Sequence, residues 1–306
     1  MGKIEAVCIS KEKGTVKTAV DSSELIEGFG LSGDAHGGSA RQVSLLSYET
    51  VEEFRKKAGD GVSIVPGVFG ENLLISGIDP ASCKVGTRFV CNDVILEMTQ
   101  KGKTCHSGCE ISKIVGDCIM PREGVFADVL AGGIIKAGDE IYEVEKKGFT
   151  AAIITASDRA YAGEREDVSG RVIRNRLLGA GYDVIPPVVL SDDEDGLYEK
   201  LIEICDGKHP DLLLTTGGTG FSKRDHMPEA TIRAGKRNVP GIAEAIRAYS
   251  MNITKRAMLS RAVSVIRDDT LIVNLPGSPK AVGECLDLLL PNLDHGLKIL
   301  RGEADG

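Results

Sequence analysis

The chain has 306 residues, with 45 acidic against 37 basic side chains and a formal net charge of −8. That balance excludes the basic stripe a nucleic-acid surface needs to neutralise phosphates, and it favours a small-molecule partner. With 42% hydrophobic residues, 4% aromatics and no tryptophan, the chain is long enough for two cores and too apolar for disorder except at its ends.

The first ten residues alternate like a strand and lack the basic segment and long apolar run of a secretory signal. No stretch approaches the ~20 apolar residues of a membrane span. Eight cysteines in such a chain are expected as free thiols in a reducing cytosol, so a cytoplasmic protein is expected.

From residue 3 to 145 the pattern is of short β-rich runs separated by Gly and Asp, at 3–10, 42–47, 72–76, 88–90, 94–98 and 140–144, with one helix at 49–58. Many short strands, Gly-rich turns and a single helix predict a mostly-β barrel. Val85-Gly86-Thr87 and Ala137-Gly138-Asp139 look like barrel corners. The charged stretch Glu145-Lys146-Lys147-Gly148 reads as a linker. It divides the chain into expected domains 1–146 and 149–306.

Beyond the linker the rhythm changes. A strand at 150–155, a helix at 169–178, a strand at 183–190, a helix at 193–205 and a strand at 211–216 alternate as βαβ units do. Helical segments follow at 229–235 and 242–251, then a hairpin of 262–266 and 270–274, then a last helix at 281–300. The expectation is an α/β three-layer domain with a largely parallel sheet covered on both faces.

In this half an apolar strand runs directly into a glycine turn, Asp211-Leu-Leu-Leu-Thr-Thr-Gly217-Gly218-Thr219-Gly220. Such a turn is either a plain tight turn or a place where backbone N–H groups approach a phosphate beyond the carboxyl end of a strand. Asp225 follows, then Pro228-Glu229-Ala230-Thr231, with Pro at a good first-turn position for a helix. The run Thr215–Thr231 resembles the signature of the molybdopterin adenylyltransferase family. Ser157-Asp158-Arg159-Ala160, Ser260-Arg261-Ala262 and Asn274-Leu-Pro-Gly-Ser-Pro-Lys280 resemble the same family, in its order, over essentially all of 149–300.

The resemblance implies adenylyl transfer from ATP to a molybdopterin phosphate, with Mg²⁺ between Asp192 and Asp225. It implies binding residues at Thr216, Gly217, Gly218, Thr219 and Gly220, at Ser260 and Arg261, and at Pro276, Gly277, Ser278 and Lys280. Ser278 is the one departure, at a position where relatives vary. Asp158, Asp167 and Ser169 are implied as pterin contacts, and a homotrimer and other cofactor-biosynthesis proteins as partners. The chemistry agrees with the residue types. Adenylyl transfer is mostly alignment and charge neutralisation, which one or two carboxylates holding a hard cation can support. The same residues admit plainer roles: Asp192 in Ser191-Asp192-Asp193 is a good helix cap, as are residues at the start of the first helix. Lys223 and Arg224 are either phosphate clamps or solvated surface.

In the N-terminal half, Gly33-Asp34-Ala35-His36-Gly37-Gly38, Arg41-Gln42-Val43, Phe69-Gly70-Glu71-Asn72-Leu73 and Met98-Thr-Gln-Lys-Gly-Lys-Thr-Cys105-His106 resemble, over about 3–145, the MOSC domain of molybdenum cofactor sulfurase. That resemblance implies a β-barrel that binds the cofactor and carries sulfur on a cysteine, at the position of Cys105. Lys101, Lys103 and His106 beside it would favour a thiolate. Cys105, His106, Cys109 and Cys118 also have metal-like spacing, without the paired C-x₂-C of a structural zinc site, and buried packing is the alternative for Cys109 and Cys118. His36 and Asp34 form either a loop hydrogen bond or an anion pocket with Arg41, and Arg122 and Glu123 read as loop anchors. Two functions remain in view, a pterin adenylyltransferase and a carrier or insertion protein that holds the cofactor without turnover.

Overall fold

The computed structural model describes residues 1–58, 63–104, 110–116 and 118–303. The chain divides into two compact units, Met1–Lys146 and Lys147–Gly306.

The first unit is built from strands β1 (Gly2–Ile9), β2 (Thr18–Val20), β3 (Ser22–Ile26), β4 (Gly30–Leu31), β5 (Val43–Ser47), β6 (Leu73–Ser76), β7 (Arg88–Cys91), β8 (Val94–Lys101), β9 (Val125–Ala131), β10 (Gly133–Lys136) and β11 (Glu140–Val144). Helices α1 (Tyr48–Ala58), α2 (Glu110–Val115) and α3 (Met120–Glu123) interrupt them. The order β11-β7-β8-β9-β5-β6-β1 is closed by pairing of β1 with β11, so seven strands form a barrel; β2 adds to β1, and β10-β3-β4 form a small sheet. The period-2 alternation of the strands sorts their side chains. Val43, Leu45, Leu73 and Ile75 point into one core with Phe89, Leu96 and Val129. Leu46 and Leu74 point the other way, into a second core with Val51 of α1, Phe69, Ile111 and Met120. A register shift against β6 between Ile4 and Ala6 sends Ile4 into the first core and Ala6 into the second, although two residues apart on a regular strand share a face.

The sequence reading placed several of these strands but left 18–31 and 125–136 unassigned. β9, Val-Phe-Ala-Asp-Val-Leu-Ala, pairs with both β5 and β8. Arg122 and Glu123, expected as loop anchors, lie in α3.

The second unit has strands β12 (Thr150–Ala156), β13 (Asp183–Val184), β14 (Val188–Leu190), β15 (Leu212–Thr216), β16 (Arg237–Asn238), β17 (Ser264–Arg267) and β18 (Thr270–Leu275). Its helices are α4 (Asp158–Tyr161), α5 (Val168–Gly179), α6 (Glu194–Lys208), α7 (Met227–Ala234), α8 (Pro240–Met251) and α9 (Pro279–Leu300). The sheet is mixed: β12 runs parallel to β13, β14 and β15, and β15 to β18, whereas β17 is antiparallel to β18 and β16 to β17. Ala151, Ile153, Leu212, Leu214, Leu271 and Val273 face α5, α8 and α9. Ala152, Ile154, Leu213 and Ile272 face α6 and α7. These are the near-continuous apolar runs expected of strands covered on both sides. The single strand expected at 183–190 is two pieces, because Pro186 and Pro187 carry no N–H to donate to a ladder.

Candidate active site

Three parallel strands end level with one another. Thr155 on β12 lies opposite Thr216 on β15, and Thr216 lies opposite Leu275 on β18. The segments leaving these ends therefore meet. Gly217 and Gly218 have positive φ, 89° and 62°, the region L side chains avoid. A Cβ on Gly217 would stand 2.1 Å from the Ala156 carbonyl oxygen, so only glycine lets the loop cross the end of β12. A Cβ on Gly218 would lie 3.1 Å from Asp192 Oδ1, and one on Gly220 would lie 2.9 Å from Asp225 Oδ2. The glycine loop is thus lined by both carboxylates.

Asp192 follows β14, and Asp158 opens α4. Asp158 N–H donates to Asp192 Oδ2 at 3.3 Å, and Asp192 N–H donates to Asp158 Oδ1 at 3.1 Å. Arg224 pairs with the other oxygen of Asp158 at 2.7 Å. Asp192 Oδ1 is buried and has no hydrogen-bond partner among the described residues. Burial pushes the Asp192 carboxyl up, and the charges of Asp158 and Asp225 push it further, against the hydrogen bond from Asp158 N–H and the charge of Arg224. Asp225 Oδ2 accepts from Ser222 N–H at 3.0 Å. Beside it opens a groove of about 570 Å³ lined by Phe221, Lys223, Asp225, His226, Glu229 and Arg261, with Phe221 exposed.

The remaining expected site residues surround this centre in varied roles. Thr216 is fully buried and donates from Oγ1 to the Pro276 carbonyl at 2.7 Å, and Ser169 donates to the Gly277 carbonyl at 2.8 Å. These two bonds hold the Pro276–Ser278 turn against the sheet end. Asp167 caps α5, accepting from Gly170 N–H at 2.8 Å and from Thr155 Oγ1 at 2.7 Å. Ser278 caps α9 through Ala281 N–H at 3.2 Å, and Lys280 is exposed in its first turn. Ser260 Oγ accepts from Ala262 N–H at 3.3 Å. Thr219 is buried, and its carbonyl accepts from Arg261 N–H at 3.0 Å.

The motif residues Glu229 and Asn274 receive no role from the sequence. Glu229 pairs with Arg261 through Oε1 and buries Oε2 with no hydrogen-bond partner among the described residues. Asn274, fully buried, donates to Thr215 Oγ1 at 2.9 Å and Thr231 Oγ1 at 2.8 Å, and accepts from Val263 N–H at 3.2 Å. One amide thereby joins β15, β18, α7 and the segment leading into β17. An Asn within the apolar run Leu271–Leu275 was the available signal, because a buried amide needs partners.

In the first unit, Asp34 is buried and accepts from Ser10 N–H at 2.9 Å and His36 N–H at 3.0 Å, and Lys17, also buried, pairs with it. Burial alone would raise the Asp34 carboxyl; the hydrogen bonds from His36, Lys17 and Ser10 hold it well below the usual range. Arg41 donates from Nε to Gln100 Oε1 at 3.3 Å and lies 5.2 Å from the Phe126 ring centroid. Cys105, His106 and Cys109 lie outside the described residues. Cys8, Cys83, Cys91, Cys205 and Cys285 are free thiols, and among the described residues no three His, Cys, Asp or Glu side chains form a metal site.

A family model described as "Probable molybdopterin binding domain" matches residues 152–295, and one described as MOSC domain matches residues 32–142. A molybdopterin adenylyltransferase of Helicobacter pylori is 37% identical over 157 residues, spanning 49% of this chain and 86% of that protein. The chain belongs to the molybdopterin adenylyltransferase family. It is an enzyme of molybdenum cofactor biosynthesis whose adenylyltransferase unit follows a MOSC domain. The Haemophilus influenzae molybdopterin adenylyltransferase is 39% identical, over 44% of this chain and 70% of its own length. A molybdenum cofactor biosynthesis bifunctional protein of Synechococcus elongatus is 37% identical, over 52% of this chain and 50% of its own. Among the described residues no helix is long and apolar enough to cross a membrane.

Proposed function

We propose that the second unit transfers AMP from ATP to the phosphate of molybdopterin. A phosphate oxygen of the pterin attacks the α-phosphorus, the bond from that phosphorus to the β-phosphate oxygen breaks, and pyrophosphate leaves. The observation that carries this reading is Asp192 Oδ1, a buried carboxylate oxygen with no hydrogen-bond partner among the described residues and aimed at the glycine loop, on a carboxyl raised by burial and further by the Asp158 and Asp225 charges. An orphaned oxygen among like charges is costly unless a cation completes it.

Asp192 and Asp225 fit Mg²⁺, a hard cation that takes one or two carboxylates and leaves its other positions to water and substrate phosphate. Bound there, Mg²⁺ would neutralise phosphate charge. The chain's own contribution is alignment. Asp158 fixes the Asp192 loop by the reciprocal bonds described, the glycines let phosphate approach the backbone at Thr216–Gly220, and Arg224 and Lys223 supply positive charge at the rim. Asp158, Asp167, Ser169, Ser260, Pro276, Gly277, Ser278 and Lys280 form the wall we assign to the pterin and its phosphate. Homotrimeric assembly and a cytoplasmic location belong to the same reading.

For the MOSC domain we propose cofactor binding, with Arg41, two residues before β5, as a ligand and Cys105 as the thiol that handles sulfur or metal. Support comes by contrast: burial pushes Cys8 and Cys91 up to about 12, and Cys205 and Cys285 up to about 11, which leaves those thiols inert.

The test is pyrophosphate release from ATP with molybdopterin and Mg²⁺. Release by the wild-type chain that falls by two orders of magnitude or more in Asp225→Asn, at unchanged far-ultraviolet dichroism, is expected from loss of one charge-stabilising group (about 10²–10³-fold). A chain that binds molybdopterin without releasing pyrophosphate is a carrier, and the catalytic reading then fails.

A further inference from the structure

Arg261 stands where the resemblance implies a substrate ligand, yet its guanidinium is turned onto the protein. Nε donates to the Gly220 carbonyl at 2.6 Å, Nη2 donates to the Asp225 carbonyl, and Nη1 donates to Glu229 Oε1. The backbone N–H of Arg261 donates to the Thr219 carbonyl at 3.0 Å. Four bonds from one residue thus reach the glycine loop at 219 and 220, the metal-side aspartate at 225, and the first turn of α7 at 229. The side chain is half-buried between these partners. We propose that Arg261 is a positioning residue: it closes the loop 219–225 into the shape in which Asp225 faces Asp192, and Glu229 holds the guanidinium for that task.

The physical case rests on the loop's own bonds. Inside the segment, Asp225 N–H donates to the Ser222 carbonyl at 3.0 Å and Ser222 N–H to Asp225 Oδ2 at 3.0 Å, so Asp225 and Ser222 form a small self-contained turn. That turn is tied to the sheet side by the Met227 N–H bond to the Gly218 carbonyl at 3.2 Å and by Arg261. The planar fork of arginine can meet acceptors in fixed directions at once, which an ammonium cannot. Charge-assisted bonds are the strong ones, and a displacement of about 1 Å in a positioned catalytic group costs on the order of a hundredfold in rate.

This inference rests on the adenylyl-transfer reading for its kinetic half and on the structure alone for its loop half, so the experiment reads both. Amide hydrogen exchange of 217–226 is measured for the wild type, Arg261→Lys, Arg261→Gln and Glu229→Gln, each as the full chain, alongside Mg²⁺-dependent pyrophosphate release. Expected are exchange in that segment at least about tenfold faster in both Arg261 variants, a smaller rise in Glu229→Gln, and a kcat loss of about tenfold to hundredfold. The Mg²⁺ concentration for half-maximal rate rises, and KM for molybdopterin stays within about twofold. Because Arg261→Lys keeps the charge, its failure to rescue separates geometry from electrostatics. Unchanged exchange in folded Arg261 variants overturns the proposal. So does a raised KM for molybdopterin at unchanged Mg²⁺ dependence, the mark of a direct substrate ligand. If the wild type releases no pyrophosphate, the adenylyl-transfer reading fails while the exchange comparison still decides the clip.

Discussion

Replacing Asp192 by Asn should make the unliganded second unit more stable and at the same time abolish its response to Mg²⁺. The Asp192 carboxylate carries a buried oxygen with no hydrogen-bond partner among the described residues and feels the charges of Asp158 and Asp225. An amide keeps an oxygen for the Asp158 N–H bond but removes the charge. The gain comes from the lost repulsion by Asp158 and Asp225, and because Asp192 is only part-buried it amounts to about 1 kcal/mol. The sign follows from linkage. A carboxyl raised in the folded state contributes stability that is full below its unfolded pKa and is lost as pH rises through the folded one, so at neutral pH the wild type bears the penalty and the variant does not. With Mg²⁺ at a hundredfold excess over its dissociation constant, the wild type gains about 2.7 kcal/mol. In a unit of this size that is a rise of roughly 5–10 °C in Tm. The assay is thermal or denaturant unfolding of the full chain in EDTA and in Mg²⁺, following the transition of the second unit. The stability order should cross over: the variant at or above the wild type in EDTA, and below it by about 2 kcal/mol in Mg²⁺. A variant that is less stable in EDTA and keeps the full Mg²⁺ gain would refute the reasoning.

In the barrel, Glu71 is fully buried, accepts from Gly67 N–H at 2.6 Å and Phe69 N–H at 3.1 Å, and is pushed by burial from 4.5 to about 7. Its contribution to stability is full below about 4.5 and lost as pH rises through about 7, about 3 kcal/mol at 1.36 kcal/mol per tenfold change in proton affinity; Glu71→Gln should flatten the pH dependence of denaturant unfolding of the first unit between pH 4 and 8, and an unchanged slope would count against the assignment. Alkylation with mass-spectrometric mapping should leave Cys8, Cys91, Cys205 and Cys285 unlabelled in the native chain while Cys105 reacts, and protection of Cys105 both with and without chelator would remove it from the functional residues.

The second unit was the more legible because its signals are local and long. Strands covered on both faces read as apolar runs, Leu212–Thr216 and Thr270–Leu275 above all, and helices of twelve or more residues carry their own period. The reading slipped where chemistry within one residue overrides the run, as at Pro186-Pro187. The barrel was harder. β9 and β10 are specified by partners far along the chain, Val43–Leu45 and Ser22–Leu25, and pairings of that kind leave no local trace beyond a short alternation.

At the site, sequence order located the carboxylates and glycines but could not apportion their roles. Asp167, Ser169, Thr216 and Ser278 are each polar residues at strand or helix ends, and a ligand contact and a structural hydrogen bond call for the same side chain there; only the atoms show that all four spend a polar group on the protein's own backbone or side chains. Asp192 is distinguished from them by the reverse observation, an oxygen that spends nothing. That difference needs three loops from separate parts of the chain, at 158, 192 and 218, to be seen together. It is also why the polar residues bonded to the protein predict altered loop order when substituted, whereas the oxygen left over predicts altered cation dependence.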